Sequence, residues 1–222
     1  MKSKKTSEQF YSELGAEGLA KRKSKSLHRK ETVFLKKIIK KEWRTLDLAC
    51  GYGRMTLELA SKGYNVEGLD ISSNLIKKAK LDAKEVGLKI KYILGSMLDL
   101  PYEKNSFEAI IVLWSAFTEL PKKKDQIKAL REMRRVLKPG GFVLIDTPYV
   151  AKIKPYVRIG DIEIFNKGRK AVANYGGHVS FEHIHFRKKD FKELAIKLNI
   201  KKYKISVSDF GGRDRLLFQF WK

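Results

Sequence analysis

The stretch Thr45–Arg54, "TLDLACGYGR", decides how the rest of the chain is read. "TLDLAC" has the composition of a buried strand, and it breaks into a glycine turn that opens a helical segment, "GRMTLELASKG", closing at Gly63. Strand, glycine turn and helix form the unit that meets nucleotide ligands in open parallel sheets. Gly51 and Gly53 permit backbone conformations that a side chain forbids and let the chain approach a ligand closely. Yet the turn departs from phosphate binders. The order Gly51, Tyr52, Gly53, Arg54, Met55, Thr56 lacks the third glycine of a dinucleotide fingerprint, and the Gly-Lys-Ser/Thr of a triphosphate loop is missing too.

Two acids flank the turn. Asp47 lies inside the strand, four residues before Gly51, where a carboxylate repels a pyrophosphate and suits a cationic group. Asp70 closes the next strand, "NVEGLD", roughly twenty residues after the glycines, where an acid can take both hydroxyls of a ribose. A ligand with a ribose, no phosphate and positive charge is implied. S-adenosylmethionine, with its ammonium and sulfonium groups, meets that description.

Outward from the turn the pattern of strand, turn and helix repeats. "SSNLIKKAKLDAKEVG" reads as a helix capped by Ser72 or Ser73, with apolar positions at Leu75, Ile76, Ala79 and Val86. "KIKYIL" and "FEAIIVLW" are strands, "KKDQIKALREMRRVL" is a helix stopped by "KPGG", and "FVLIDTP" is the next strand. Such alternation predicts an α/β fold with a mostly parallel sheet and helices on both faces. After Pro148 the alternation stops. "NKG" and "YGG" carry the chemistry of tight turns, so residues 148–187 are expected to form an antiparallel insertion on the substrate side of a unit spanning 45–222. "KKDFKELAIKLN" restores a helix, and "KYKISVSDF" and "RLLFQFWK" close as a hairpin. Residues 1–44 hold fourteen Lys or Arg against five Glu and are expected to form a helical lid or arm, through Phe10, Tyr11 and Leu14, then Val33, Phe34, Ile38 and Ile39.

Composition narrows the class. At 222 residues with 43% hydrophobic content, one domain with an insertion is expected. The start carries basic residues without the apolar core of a secretion signal, and no run approaches the roughly twenty apolar residues of a membrane span, so a cytoplasmic protein is expected. Cys50, the sole cysteine, excludes an intramolecular disulfide and two-thiol chemistry. A formal charge of +23 favours anionic partners, RNA among them, and equally fits the charged surface of a protein from a hot habitat.

From about Thr45 to Pro148 the sequence resembles the class I S-adenosylmethionine-dependent methyltransferases, particularly the small-molecule branch of ubiquinone and menaquinone biosynthesis. "LDLACGYGR", "VEGLDIS", "GSMLDLPYEKNSFEAII" and "RVLKPGGFVLI" occur in register, with a looser match over "FEHIHFRKKDFKEL". The resemblance implies a doubly wound, Rossmann-like, seven-stranded sheet with an antiparallel last strand. It also implies that S-adenosylmethionine is bound and S-adenosylhomocysteine released. Asp47, Gly51 and Gly53 would surround the methionine moiety, and Ala49, Cys50 and Arg54 would also bind the cofactor. Asp70 would take the ribose, and Ile71 would lie beside adenine. Ser96 and Met97 would hold the adenine edge, Leu98 would also bind the cofactor, and Leu113 and Trp114 would lie near the sulfonium. Members often carry Asp where Ser96 stands, so Asp99 is an alternative adenine contact.

Tyr11 could reach the cofactor carboxylate from the lid or pack on its own helix. Trp114, Phe117 and Tyr149 follow strands at the active edge, where an aromatic face attracts a sulfonium. His183 and His185, at i and i+2, share a strand face, with His178 nearby. They and Tyr149 are the candidates for a general base or substrate contact; no carboxylate or Cys completes a first shell, so a metal is not expected. "TPY" at Thr147–Tyr149 follows the fifth strand and is not the amino-methyltransferase signature, which follows the fourth. Cytosine C5 chemistry would need a thiol nucleophile, and Cys50 belongs to the turn. Three readings stay open: a small-molecule methyltransferase, acting as monomer or homodimer; an RNA methyltransferase; and a non-catalytic adenosylmethionine- or nucleotide-binding module.

Overall fold

A computed structural model describes residues 6–20, 25–159, 162–175, 178–209 and 214–222; at 7, 25–27, 159, 162, 174–175 and 178–181 the description is of the backbone. The two glycines of the "YGG" turn read above, 176–177, lie outside the described residues, as do 21–24 and 210–213.

Two helices come first, α1 (Ser7–Ala20) and α2 (Lys25–Ile38). Alternation then begins with β1 (Thr45–Leu48), α3 (Arg54–Ala60), β2 (Val66–Asp70), α4 (Ser73–Glu85), β3 (Tyr92–Leu94) and β4 (Phe107–Val112). A 3-10 turn, Ala116–Glu119, leads to α5 (Lys123–Val136) and β5 (Leu137–Pro148). Four strands follow, β6 (Tyr156–Ile159), β7 (Ile162–Lys167), β8 (Lys170–Tyr175) and β9 (His178–Ile184). The chain closes with α6 (Lys188–Lys197), β10 (Tyr203–Asp209) and β11 (Asp214–Trp221).

The main sheet has seven strands in the order β10-β11-β5-β4-β1-β2-β3. Strands β1 to β5 pair in parallel, whereas β11 runs antiparallel to β5 and to β10. β6 to β9 form a separate antiparallel sheet, placed where the insertion was expected.

Strand side chains alternate between two cores, as the two-residue period of a pleated strand requires. Leu46, Leu48, Ile110, Val112, Val143 and Ile145 join one cluster with α5, α6 and Phe117. Ala109, Ile111, Phe142 and Leu144 join the other with Leu35 and Ile39 at the end of the N-terminal arm and Met55 and Leu59 of α3. Helices on both faces therefore leave the carboxyl ends of the strands as the open edge. Rings pack together within the first of these cores: Phe186 lies 4.8 Å from Phe191, Phe191 lies 4.7 Å from Phe218, and Phe117 lies 5.4 Å from Phe186.

Three local expectations are corrected. Val33 is 48% exposed, and Leu35 fills the core in its place, because α2 starts at Lys25 and its buried stripe has a different phase. Val86 is 58% exposed, since α4 stops at Glu85 and Val86 only caps it. "KPGG" is not a separate stop: Leu137 already has extended backbone, and β5 begins there, pairing with Phe107 across an irregularity. α1 bends at Gly15, whose φ of 64° and ψ of 177° are not helical. No helix among the described residues is long and apolar enough to cross a membrane.

Candidate functional site

The strand order reverses between β1 and β4: β2 follows β1 on one side, and β4 lies on the other. Open α/β sheets bind ligands in the crevice at such a point. A cavity of about 200 Å³ lies there.

Its donor side is built by the glycine turn. Ala49 (φ 63°) and Gly51 (φ 59°) are left-handed, which folds the chain back so that the Gly51 N–H donates to Asp70 Oδ2 at 2.8 Å. The Ser72 N–H donates to Asp70 Oδ1 at 2.9 Å, and the Ser72 hydroxyl caps α4, which resolves the choice between Ser72 and Ser73. Asp70 is 7% exposed; burial pushes its carboxyl pKa up, against the pull of those two N–H groups. Each oxygen still has a lone pair beyond its backbone bond. Asp47, 2% exposed, accepts from the Thr56 hydroxyl at 2.7 Å. Ala49, Cys50, Gly51, Ile71 and both aspartates line the cavity.

Gly53 does not line it. A Cβ there would lie 2.6 Å from the Tyr92 hydroxyl and 2.9 Å from Ala79 Cβ, and its φ is 78°. This glycine serves close packing of the turn onto α4 and β3, a correction to its place beside the methionine moiety. Burial also pushes the Cys50 thiol up, and a Cβ on Gly68 would lie 2.7 Å from the Cys50 sulfur, so the thiol packs on bare backbone.

Arg54 lines the cavity but is held from outside by α2. Its guanidinium bonds Glu31 Oε2 at 2.6 Å, contacts His28 Nδ1, and lies 5.8 Å from the Trp114 ring centroid. Burial, aided by that guanidinium, lowers the His28 pKa.

Ser96, Met97 and Leu98 form the next wall. The Ser96 hydroxyl accepts from the Leu98 N–H at 3.1 Å, and the loop is anchored by Arg135, which donates to the carbonyls of Leu100 and Tyr102 at 2.9 Å and 2.7 Å. Asp99, the alternative to Ser96, is not among the lining residues, and its N–H returns to the Ser96 carbonyl.

Across the cavity, Leu113 and Trp114 leave the end of β4, followed by Ala116 and Glu119 of the 3-10 turn and by Leu120, which caps it. Tyr11 and Leu19 of α1 complete this wall, and the Tyr11 hydroxyl donates to Glu119. Glu119 escaped the sequence reading because "LWSAFTEL" passes for a plain strand exit; a carboxylate three residues beyond Ala116 was its one visible mark.

Tyr149, His183 and His185 do not line the cavity. Tyr149 is 36% exposed, and the two histidines pack edge to face at 5.4 Å, with His185 Nε2 2.9 Å from Asn166 Oδ1. Burial, reinforced by His185, lowers the His183 pKa to about 4, which suits a neutral packed ring. The His178 side chain lies outside the described residues. The insertion, expected on the substrate side, supplies none of the described lining residues; β9 meets the cavity wall indirectly, by packing against the 3-10 turn.

Fold and turn agree with comparisons to known proteins. Residues 46–145 match a family model described as a methyltransferase domain. The chain is 38% identical over 103 residues to a demethylmenaquinone methyltransferase of Lactococcus lactis, covering 45% of this chain and 39% of that one. It is 37% identical over 125 residues to the enzyme of the same name from Listeria welshimeri, covering 54% and 50%. The chain thus spans about half the length of the curated relatives it matches. Among solved structures, the PH0226 protein of Pyrococcus horikoshii superposes with a TM-score of 0.68 at 23% identity, over 90% of this chain and 93% of that one. An S-adenosylmethionine-dependent methyltransferase of Clostridium acetobutylicum does so with a TM-score of 0.67 at 15% identity, over 91% and 94%. Residues 46–145, which hold the glycine turn and both aspartates, thus match a methyltransferase domain, and the two solved structures share the fold.

Proposed function

We propose that the chain transfers a methyl group from S-adenosylmethionine to a small-molecule acceptor. The observation that carries this reading is the buried Asp70 carboxylate on the cavity wall, tethered by the Gly51 and Ser72 N–H groups with lone pairs to spare. The lining suits the cofactor better than a diphosphate: among the described residues it includes no Lys, and Arg54 is already bonded to Glu31. Asp70 would hold the ribose hydroxyls, Asp47 and the turn backbone the amino-acid end, and Ser96, Met97 and Leu98 the adenine.

When bound, the sulfonium supplies a methyl group that an acceptor lone pair takes while the S–C electron pair stays on sulfur, leaving S-adenosylhomocysteine. The protein's own part is positioning and exclusion of water. Leu113, Trp114, Leu98, Leu120 and Leu19 make the wall largely apolar, and the Trp114 ring offers a face to positive charge. An apolar wall of this kind favours a small acceptor. The charge of +23 remains the argument for RNA.

Calorimetry with S-adenosylmethionine and with NAD tests the cofactor assignment; binding of NAD without S-adenosylmethionine overturns it. A labelled-methyl screen against metabolite and RNA fractions tests the acceptor, and label confined to RNA overturns the small-molecule reading.

A further inference from the structure

Glu119 is the carboxylate that the donor side of the cavity leaves unassigned. Asp47 and Asp70 belong to β1 and β2, whereas Glu119 stands on the 3-10 turn after β4, beyond Trp114. Its mounting is rigid. Phe117 is fully buried against Phe186 and Phe191, the Thr118 hydroxyl donates to the Ser115 carbonyl at 2.7 Å, and the Gln126 amide donates to the Leu120 carbonyl at 2.7 Å. The Tyr11 hydroxyl donates to Glu119 Oε1 and so fixes the carboxylate's orientation.

A carboxylate on an otherwise apolar wall interacts best with an N–H group that carries or develops positive charge. Among the described residues, the charged groups lining the cavity are the carboxylates of Asp47, Asp70 and Glu119 and the guanidinium of Arg54.

We propose that Glu119 recognises the methyl acceptor and that the acceptor is a small amine, its N–H donating to the Glu119 carboxylate. This deepens the methyltransferase reading and rests on it. As the nitrogen lone pair becomes the new N–C bond, the nitrogen turns positive, and one of its protons passes to a Glu119 oxygen and from there to water.

The test is calorimetry on wild type and Glu119→Gln, each saturated with S-adenosylhomocysteine and titrated with benzylamine, benzyl alcohol and benzoate, probes of matched size. Benzylamine is expected to bind wild type roughly ten-fold tighter than the other two, and Glu119→Gln to lose about ten-fold of that affinity. S-adenosylhomocysteine affinity should be unchanged in the variant. Equal affinity for the three probes, binding of none of them, or an unchanged benzylamine affinity in Glu119→Gln overturns the proposal. The wild-type series stands whatever the folding of the variant. Failure of S-adenosylhomocysteine to bind wild type overturns the methyltransferase reading itself, and this proposal with it, which separates the two failures.

Discussion

Arg215 of β11 and Asp146 of β5 form a buried ion pair at 2.9 Å, with side chains 10% and 1% exposed, and their remaining hydrogen bonds converge on Ser115. The Arg215 guanidinium donates to the Ser115 hydroxyl at 2.8 Å, and the Ser115 N–H donates to Asp146 Oδ1 at 3.3 Å. Trp114 and Ser115 are consecutive non-glycine residues in left-handed backbone, at φ 57° and 73°. Such conformations cost about 1–2 kcal/mol each, and the ion pair holds them where Trp114 faces the cavity. Arg215→Met strands a buried carboxylate and should lower unfolding free energy by about 3–5 kcal/mol in denaturant titrations. Adding Asp146→Leu should restore much of the loss, because the desolvated charge is then gone as well.

On the proposed ribose assignment, Asp70→Ala loses a charge-assisted contact to two hydroxyls and should weaken S-adenosylmethionine binding by about 2–3 kcal/mol in calorimetry. A dissociation constant equal to that of wild type would contradict the ribose assignment.

The two turn glycines should separate. Gly53→Ala drives a methyl group into Tyr92 and Ala79, at 2.6 Å and 2.9 Å, and should cost about 2–4 kcal/mol of stability. At Gly51 the nearest outside atom is Leu75 Cδ1 at 4.0 Å, so Gly51→Ala should cost only the left-handed strain of about 1–2 kcal/mol. Thermal melts of both variants check the ranking.

His183 titrates at about 4 in the folded chain against an ordinary 6.5, so between those values the unfolded chain binds more protons. Its contribution to stability is full above pH 6.5 and is lost as pH falls toward 4, by up to about 3 kcal/mol. His185, lowered by burial as well, adds in the same direction. His183→Gln should flatten the slope of unfolding free energy across that window.

What could be read from the chain was what lies close along it. Asp47, Gly51 and Asp70 belong to one strand-turn-helix-strand unit, whose spacing is set by local geometry, and the alternation up to Pro148 follows from two-sided burial of β1, β4 and β5. The phase of α2 was missed because amphipathic counting without a start residue cannot tell Val33 from Leu35. Glu119 and Tyr11 are 108 residues apart, and Arg215 and Ser115 are 100 apart. Neither pairing leaves a periodic trace, so Tyr11, Leu113 and Trp114 were legible on this wall while Glu119 and its contacts stayed hidden. The paired histidines invited chemistry because adjacency in sequence shows no distance from a cavity.

The wall supplied by Tyr11 and Leu19 is made of two segments. α1 bends at Gly15, between these two residues, so each side of the bend presents one of them to the cavity. Under the proposed function, release of a nucleoside-sized product limited by movement of this segment would make turnover fall as glycerol or sucrose thickens the medium, with equilibrium occupancy unchanged.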